Sequence, residues 1–153
     1  MLYPLQLLYT VRRRHSVWSR NSKMCGLLVM KSPVSGLGCF ATVRFPRDSA
    51  IAEYAGERIT HAEAVRRSTR TTGKHISQLD ADYYIDGSVG GNETQYINHS
   101  CEPNADVRVI DSFMIIFALR EILPGEEVTV DYLNSFDHDQ TLCLCRTSSC
   151  RNS

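Results

Sequence analysis

The sequence predicts a mainly β fold with a few short helices. Its apolar segments have strand length and are separated by turn residues. A single stretch carries a helix cap followed by a run of helix formers. Neither heptads nor an internal repeat runs through the 153 residues, so a coiled coil and a solenoid are excluded.

The elements follow in order. "CGLLVMKS" (25–32) is an apolar strand ended by Ser32 and Pro33. "SGLGCFATV" (35–43) starts as a glycine-punctuated turn and continues as a strand. After the turn "PRDSA", "IAEYAGERI" (51–59) is extended and broken by Gly56. Thr60 and Glu63 form a T-x-x-E capping box, which starts a helix over "HAEAVRRSTR" (61–70). "DYYIDGS" (82–88) is a strand entering a glycine-rich bend. "DVRVIDSFMIIFALREI" (106–122) contains two strands hinged near Asp111–Ser112, and "VTVDY" (128–132) is the last strand after the turn "LPGEE".

Hydrophobic content of 42% and charged content of 22% are those of a globular domain with its own core. No stretch approaches the roughly 18–20 apolar residues of a membrane helix. The zero net charge conceals an asymmetry: residues 1–47 carry six Arg, two Lys and no acid, so the rest sums to −8. A basic leader before an acidic body points to two kinds of partner, or to a targeting segment. The leader is apolar first and basic second, the reverse of a secretory signal. It reads as an extension at residues 1–23, with an organelle transit peptide or a nucleic-acid tether as alternatives. An intracellular site, nuclear or cytoplasmic, is expected.

Six cysteines stand at 25, 39, 101, 143, 145 and 150. The C-x-C-x4-C spacing of "CLCRTSSC" reads as metal ligation, with one tetrahedral position left for Cys25, Cys39 or Cys101. A disulfide is the alternative. "GLGCFA" (36–41) matches a dinucleotide-binding turn, but a strand rather than a helix follows it, so that reading fails on context. "YINHSCEPN" (96–104) places amide, imidazole, hydroxyl and thiol on successive residues, too much chemistry for a plain turn. His99 and Cys101 could form a nucleophile–base pair, an option that disappears if a metal takes Cys101.

Taken in order, "SGLGCFA", "IAEYAGERIT", "GGNETQYINHSCEPN", "GEEVTVDY" and "CLCRTSSC" resemble the SET domain of protein lysine methyltransferases, over about residues 24–153. The resemblance implies a SET-domain fold of short β-sheets in which the N-H-S-C segment is threaded as a pseudoknot. It implies a SET domain at 24–135 and a zinc-binding post-SET segment at 136–153, with no cysteine-rich region before them. Gly36, Leu37, Gly38, Asn98 and His99 are then expected to hold S-adenosylmethionine. Tyr132 would be catalytic, Tyr54 would line the channel for the substrate lysine, and Cys101, Cys143, Cys145 and Cys150 would bind zinc. The partner would be a protein with an accessible lysine, such as a histone tail or another basic peptide. A weakly active module that binds peptide or cofactor is the alternative.

Some positions depart from the family pattern. Gln95-Tyr96 stands where Arg-Phe is common, and His75 or Lys74 where many members carry an aromatic. Val130, two residues before Tyr132, stands where Phe or Tyr often limits the number of methyl groups. No aromatic substitute is evident at Ala105-Asp106-Val107. Di- or trimethylation is therefore expected.

Overall fold

The computed structural model describes residues 26–69, 75–132 and 143–151. The basic leader, Cys25 and Lys74 lie outside the described residues, so the expectations attached to them are not addressed by the structure.

Ten short strands form three small sheets. β1 (Leu27–Lys31) and β2 (Leu37–Ala41) pair antiparallel across the "SPVSG" turn. β3 (Ala50–Glu53) and β4 (Glu57–Thr60) flank Gly56, where the sequence predicted the break. Any Cβ at Gly56 would collide with the Asp86 carbonyl, so a side chain is excluded there by backbone. α1 (His61–Ser68) starts as the capping box requires, with Thr60 accepting from the Glu63 N–H at 3.4 Å. β5 (Ile76–Gln78), a three-residue strand that the pattern did not reveal, pairs with β6 (Tyr83–Asp86). A 3-10 turn at Glu93–Tyr96 leads into β7 (Asn98–His99). β8 (Ala105–Ile110) and β9 (Phe113–Ala118) form a hairpin, and β10 (Glu127–Val130) ends the set. Both hairpin turn residues, Asp111 (φ 49°) and Ser112 (φ 67°), are left-handed, as a two-residue turn matched to strand twist demands.

The three sheets are β1-β2-β10-β7, β3-β9-β8 and β4-β6-β5. The first and second share one core, in which Cys39, Ala52, Ile116, Ile122 and Val128 are essentially inaccessible. Buried polar backbone is satisfied within it. Asn104 donates to the Glu127 carbonyl and accepts from the Thr129 N–H, both at 2.8 Å, stitching β10 to the "EPN" segment.

The third sheet is held differently. α1 buries only Ala64, so little hydrophobic stabilisation fixes it. Arg67 instead bridges Glu57 (2.7 Å), Glu63 (2.6 Å) and the buried Asp86 (2.7 Å), tying α1 to β4 and β6. Burial opposes the Asp86 carboxylate, but bonds from Ser88 and Arg67 outweigh it and hold its pKa below the usual value.

One pairing places the site. β7 runs parallel to β10, with Thr129 opposite Asn98 and Val130 opposite His99. The Ser100 N–H continues the ladder to the Val130 carbonyl at 3.0 Å. The pairing brings the adjacent Asn98 and His99 to Tyr132's part of the chain, with His99 in contact with Tyr132 across 33 positions. Residues 133–142 lie outside the described set, so the expected threading of the N-H-S-C segment is not addressed by the structure.

Candidate active site and metal centre

A pocket of about 50 Å³ opens where the first two sheets meet the 3-10 turn. Tyr54 and Tyr132 line it with Ile97, Val107, Met114 and Val130, so its walls are mostly apolar. Both phenols are fixed by backbone carbonyls. Tyr132 donates to Ile97 O at 2.6 Å, and Tyr54 donates to His75 O at 2.7 Å. Desolvation, with Glu127 adding to it, pushes the Tyr132 hydroxyl up to about 12. Burial raises Tyr54 as well. Both therefore stay neutral phenols at ordinary pH and cannot serve as bases.

The two departures from the family pattern meet behind Tyr54. His75 Nδ1 lies 2.9 Å from Gln95 O, and the His75 and Tyr96 rings sit edge to face at 6.2 Å. The pair buttresses the carbonyl that orients Tyr54. Gly87 lets this happen, since a Cβ there would lie 2.9 Å from the Tyr54 hydroxyl.

The glycine turn lies beside the N-H-S-C segment. Gly36 is left-handed (φ 51°), which a glycine adopts without strain. Gly38 is glycine for a different reason: a Cβ would collide with Glu127 Oε1 and Ser32 Cβ. The Asn98 side-chain amide donates to Leu37 O (2.9 Å), Ser35 O (3.3 Å) and Glu127 Oε1 (2.7 Å). Thus Gly36, Leu37, Gly38 and Asn98 are joined in one rigid unit, with the Asn98 nitrogen spent on holding the turn. Glu127 and Ser32, which accepts no role from motif reading, complete it through bonds of 2.8 and 2.9 Å.

His99 faces the other way. Its Nδ1 accepts from the Tyr132 backbone N–H at 3.1 Å, and its ring packs on Tyr132 at 5.4 Å. Burial lowers its pKa, keeping it neutral. Nε2 lies 3.3 Å from Cys101 Sγ. Cys101 Sγ is in turn 3.6 Å from Cys143 Sγ, and His99, Cys101, Cys143 and Cys145 offer ligand atoms all within 4.8 Å of one another.

That donor set fits tetrahedral zinc: bonds of about 2.3 Å imply sulfur pairs near 3.8 Å. Burial opposes ionisation of Cys145, but bonds from Thr147 outweigh it and lower its pKa, while burial raises its neighbour Cys143. Cys150 stands outside that group of four, although its thiol engages Cys143. Cys39, an earlier candidate for the fourth ligand, is not near it. It is fully buried in the core against Glu93 O, with its pKa raised to about 12 by burial. The close His99–Cys101 pair stands inside this sulfur cluster, which favours ligation over nucleophilic chemistry.

Contacts that sequence reading missed fasten the cysteine tail. Glu102 accepts from the Ser148 hydroxyl (3.0 Å), the Ser149 N–H (3.1 Å) and the Ser149 hydroxyl. Arg151 pairs with Asp131, next to Tyr132, at 2.6 Å.

The SET-domain family model matches residues 36–133. The chain belongs to the SET-domain family. Relatives include the histone-lysine N-methyltransferase trithorax of Drosophila virilis, 35% identical over 80% of this chain and 3% of that protein. The H3 lysine-4 specific histone-lysine N-methyltransferase of Schizosaccharomyces pombe is 33% identical over 78% of this chain and 14% of its own length. This SET-domain chain therefore spans a small fraction of the length of these two relatives. Among solved structures, ctPRC2 in an autoinhibited conformation bound to S-adenosylmethionine aligns with TM-score 0.64 at 27% identity. That match covers 72% of this chain and 15% of the other. The mainly β SET architecture expected from the motifs is the one observed. Among the described residues no helix is long and apolar enough to cross a membrane.

Proposed function

We propose that this chain is an S-adenosylmethionine-dependent protein-lysine N-methyltransferase. The observation that carries the reading is the small pocket lined by both Tyr54 and Tyr132, whose wall residue Ile97 is followed directly by Asn98, the residue that braces the glycine turn. When bound, S-adenosylmethionine supplies a methyl group from its sulfonium carbon.

The chain's own residues prepare the acceptor. A free lysine, with pKa about 10.4, is almost entirely ammonium near neutral pH. The burial that raises both phenols acts on an entering ammonium in the opposite sense, toward the neutral amine, while Asp106 and Asp131, lining the same pocket, attract it as a cation. Tyr132 directs its proton to Ile97 O, leaving its oxygen lone pairs free toward the pocket, where they can accept weak C–H···O contacts. Tyr54, Ile97 and Val130 confine the side chain. Such alignment is worth up to about 7–11 kcal/mol in ideal cases.

Cys101, Cys143 and Cys145 would hold zinc, with Cys150 as the fourth ligand by family pattern and His99 as its competitor by position. The metal would fasten the tail to the N-H-S-C segment and supply no reaction chemistry.

The substrate is proposed to be a histone tail or similarly basic peptide, which would place the protein in the nucleus. Support comes from the relatives' names, the −8 charge beyond residue 47, and Asp106 and Asp131 at the pocket. The test is incubation of the purified chain with labelled S-adenosylmethionine, core histones and a cell extract. Label on lysine of a discrete protein is expected; its absence under conditions where the cofactor binds would leave the binding-module alternative.

A further inference from the structure

We propose that Glu127 is a specificity-determining residue that makes the cofactor site prefer a cationic sulfonium over the neutral thioether left after transfer. The proposal rests on the cofactor reading above and adds a charge-selection role to it.

Glu127 stands on β10 opposite Phe40, and its side chain folds back over Gly38. Its carboxylate receives the Ser32 hydroxyl and the Asn98 amide, both neutral donors. Other acids of this region have cations beside them. Glu126 pairs with Arg120 at 2.8 Å, Asp131 with Arg151 at 2.6 Å, and Asp86 with Arg67 at 2.7 Å. Among the described residues no cation faces Glu127. Its negative charge is met there by hydrogen-bond donors and not by a counter-charge. Here it lies directly beneath the turn expected to hold the cofactor.

Its field reaches across the site. It adds to the forces keeping both Tyr132 and Cys39 protonated, two groups of the same core. The same field favours any cation bound between the Gly38 turn and Tyr132. S-Adenosylmethionine and S-adenosylhomocysteine differ there by one methyl group and one positive charge. An uncompensated carboxylate thus raises affinity for the substrate form alone and lets the product leave. A methyl group in an apolar pocket also discriminates by shape, so the part assigned to Glu127 is the part of the preference that its charge alone carries.

Calorimetric titration of the full chain with each ligand tests this. In Glu127→Gln, which keeps size and removes charge, the preference for S-adenosylmethionine over S-adenosylhomocysteine should fall at least about threefold. Ser32→Ala keeps the charge, so it should weaken both ligands equally. Ser32→Lys sets an ammonium beside an intact Glu127 and should lower the preference as Glu127→Gln does; it carries the test if Glu127→Gln does not fold. Equal weakening of both ligands in Glu127→Gln and Ser32→Lys would overturn the proposal while leaving the cofactor reading intact. Failure of the unaltered chain to bind either ligand would overturn both, before any variant is made.

Discussion

On the proposed function, Val130→Tyr should turn a chain expected to add two or three methyl groups into one that stops at a single methyl group. Val130 is 8% exposed and lines the pocket together with Tyr54. The pocket holds about 50 Å³, and a water-sized group needs roughly 10–15 Å³. It therefore accepts about three to five such groups, enough for a lysine nitrogen with two or three methyls. Tyrosine adds a ring and a hydroxyl to valine's isopropyl group, which consumes nearly all of that space. Overpacking of this kind costs about 1–3 kcal/mol of stability, so the variant should melt a few degrees lower yet remain folded. The assay is mass spectrometry of a saturated reaction with enzyme in excess, counting methyl groups per lysine. The unaltered chain should yield di- and trimethyl product, and Val130→Tyr should reduce the trimethyl fraction at least tenfold, about 1.4 kcal/mol. A chain that already halts at one methyl, or a variant with unchanged products, would refute the reasoning. Because His75 and Tyr96 sit behind Tyr54 rather than on the pocket wall, they would not explain such a halt without a shift of Tyr54.

Three further outcomes follow from the same geometry. Metal analysis should return one zinc per chain, and chelation or Cys145→Ser should abolish most activity and expose residues 143–151 to proteolysis; full activity after verified zinc removal would contradict the architecture. Arg67→Ala strands the buried Asp86 carboxylate with only Ser88 donors, and should cost about 2–3 kcal/mol in denaturant titration, below the 3–5 of a fully buried pair because Arg67 keeps some exposure. Since the native Asp86 and Glu63 values lie below their unfolded ones, their stabilisation is complete above the ordinary carboxylate range. It is lost as pH falls through the native values, down to about 2 for Glu63, and Arg67→Ala should flatten that acid limb.

The motif residues were legible because their chemistry is local. Asn98, His99 and Cys101 are adjacent, so side-chain type alone marks the segment. The strands and the capped helix were legible for the same reason. What joins them was not. Ser32 and Glu127 meet across 95 positions, and nothing about a serine before a proline announces a carboxylate partner. Arg67 reads as one exposed helix charge until β4 and β6 bring Glu57 and Asp86 to it. The strand Ile76–Gln78 is too short for a period and exists through its pairing with β6. Asn98 shows the limit most clearly: its place in the N-H-S-C segment was readable, but its nitrogen's use in bracing the glycine turn required the fold.

The central claim is that Tyr132 acts at the moment of methyl transfer and not in binding, and Tyr132→Phe tests it most directly. The substitution keeps the ring and removes the one hydroxyl that Ile97 O orients. Turnover with labelled S-adenosylmethionine and cofactor affinity should be measured side by side on the same preparations. The account predicts a fall in turnover of at least tenfold, with affinity for S-adenosylmethionine changed by less than about twofold. Near-normal turnover in Tyr132→Phe, or a loss of activity fully matched by loss of cofactor binding, would contradict it.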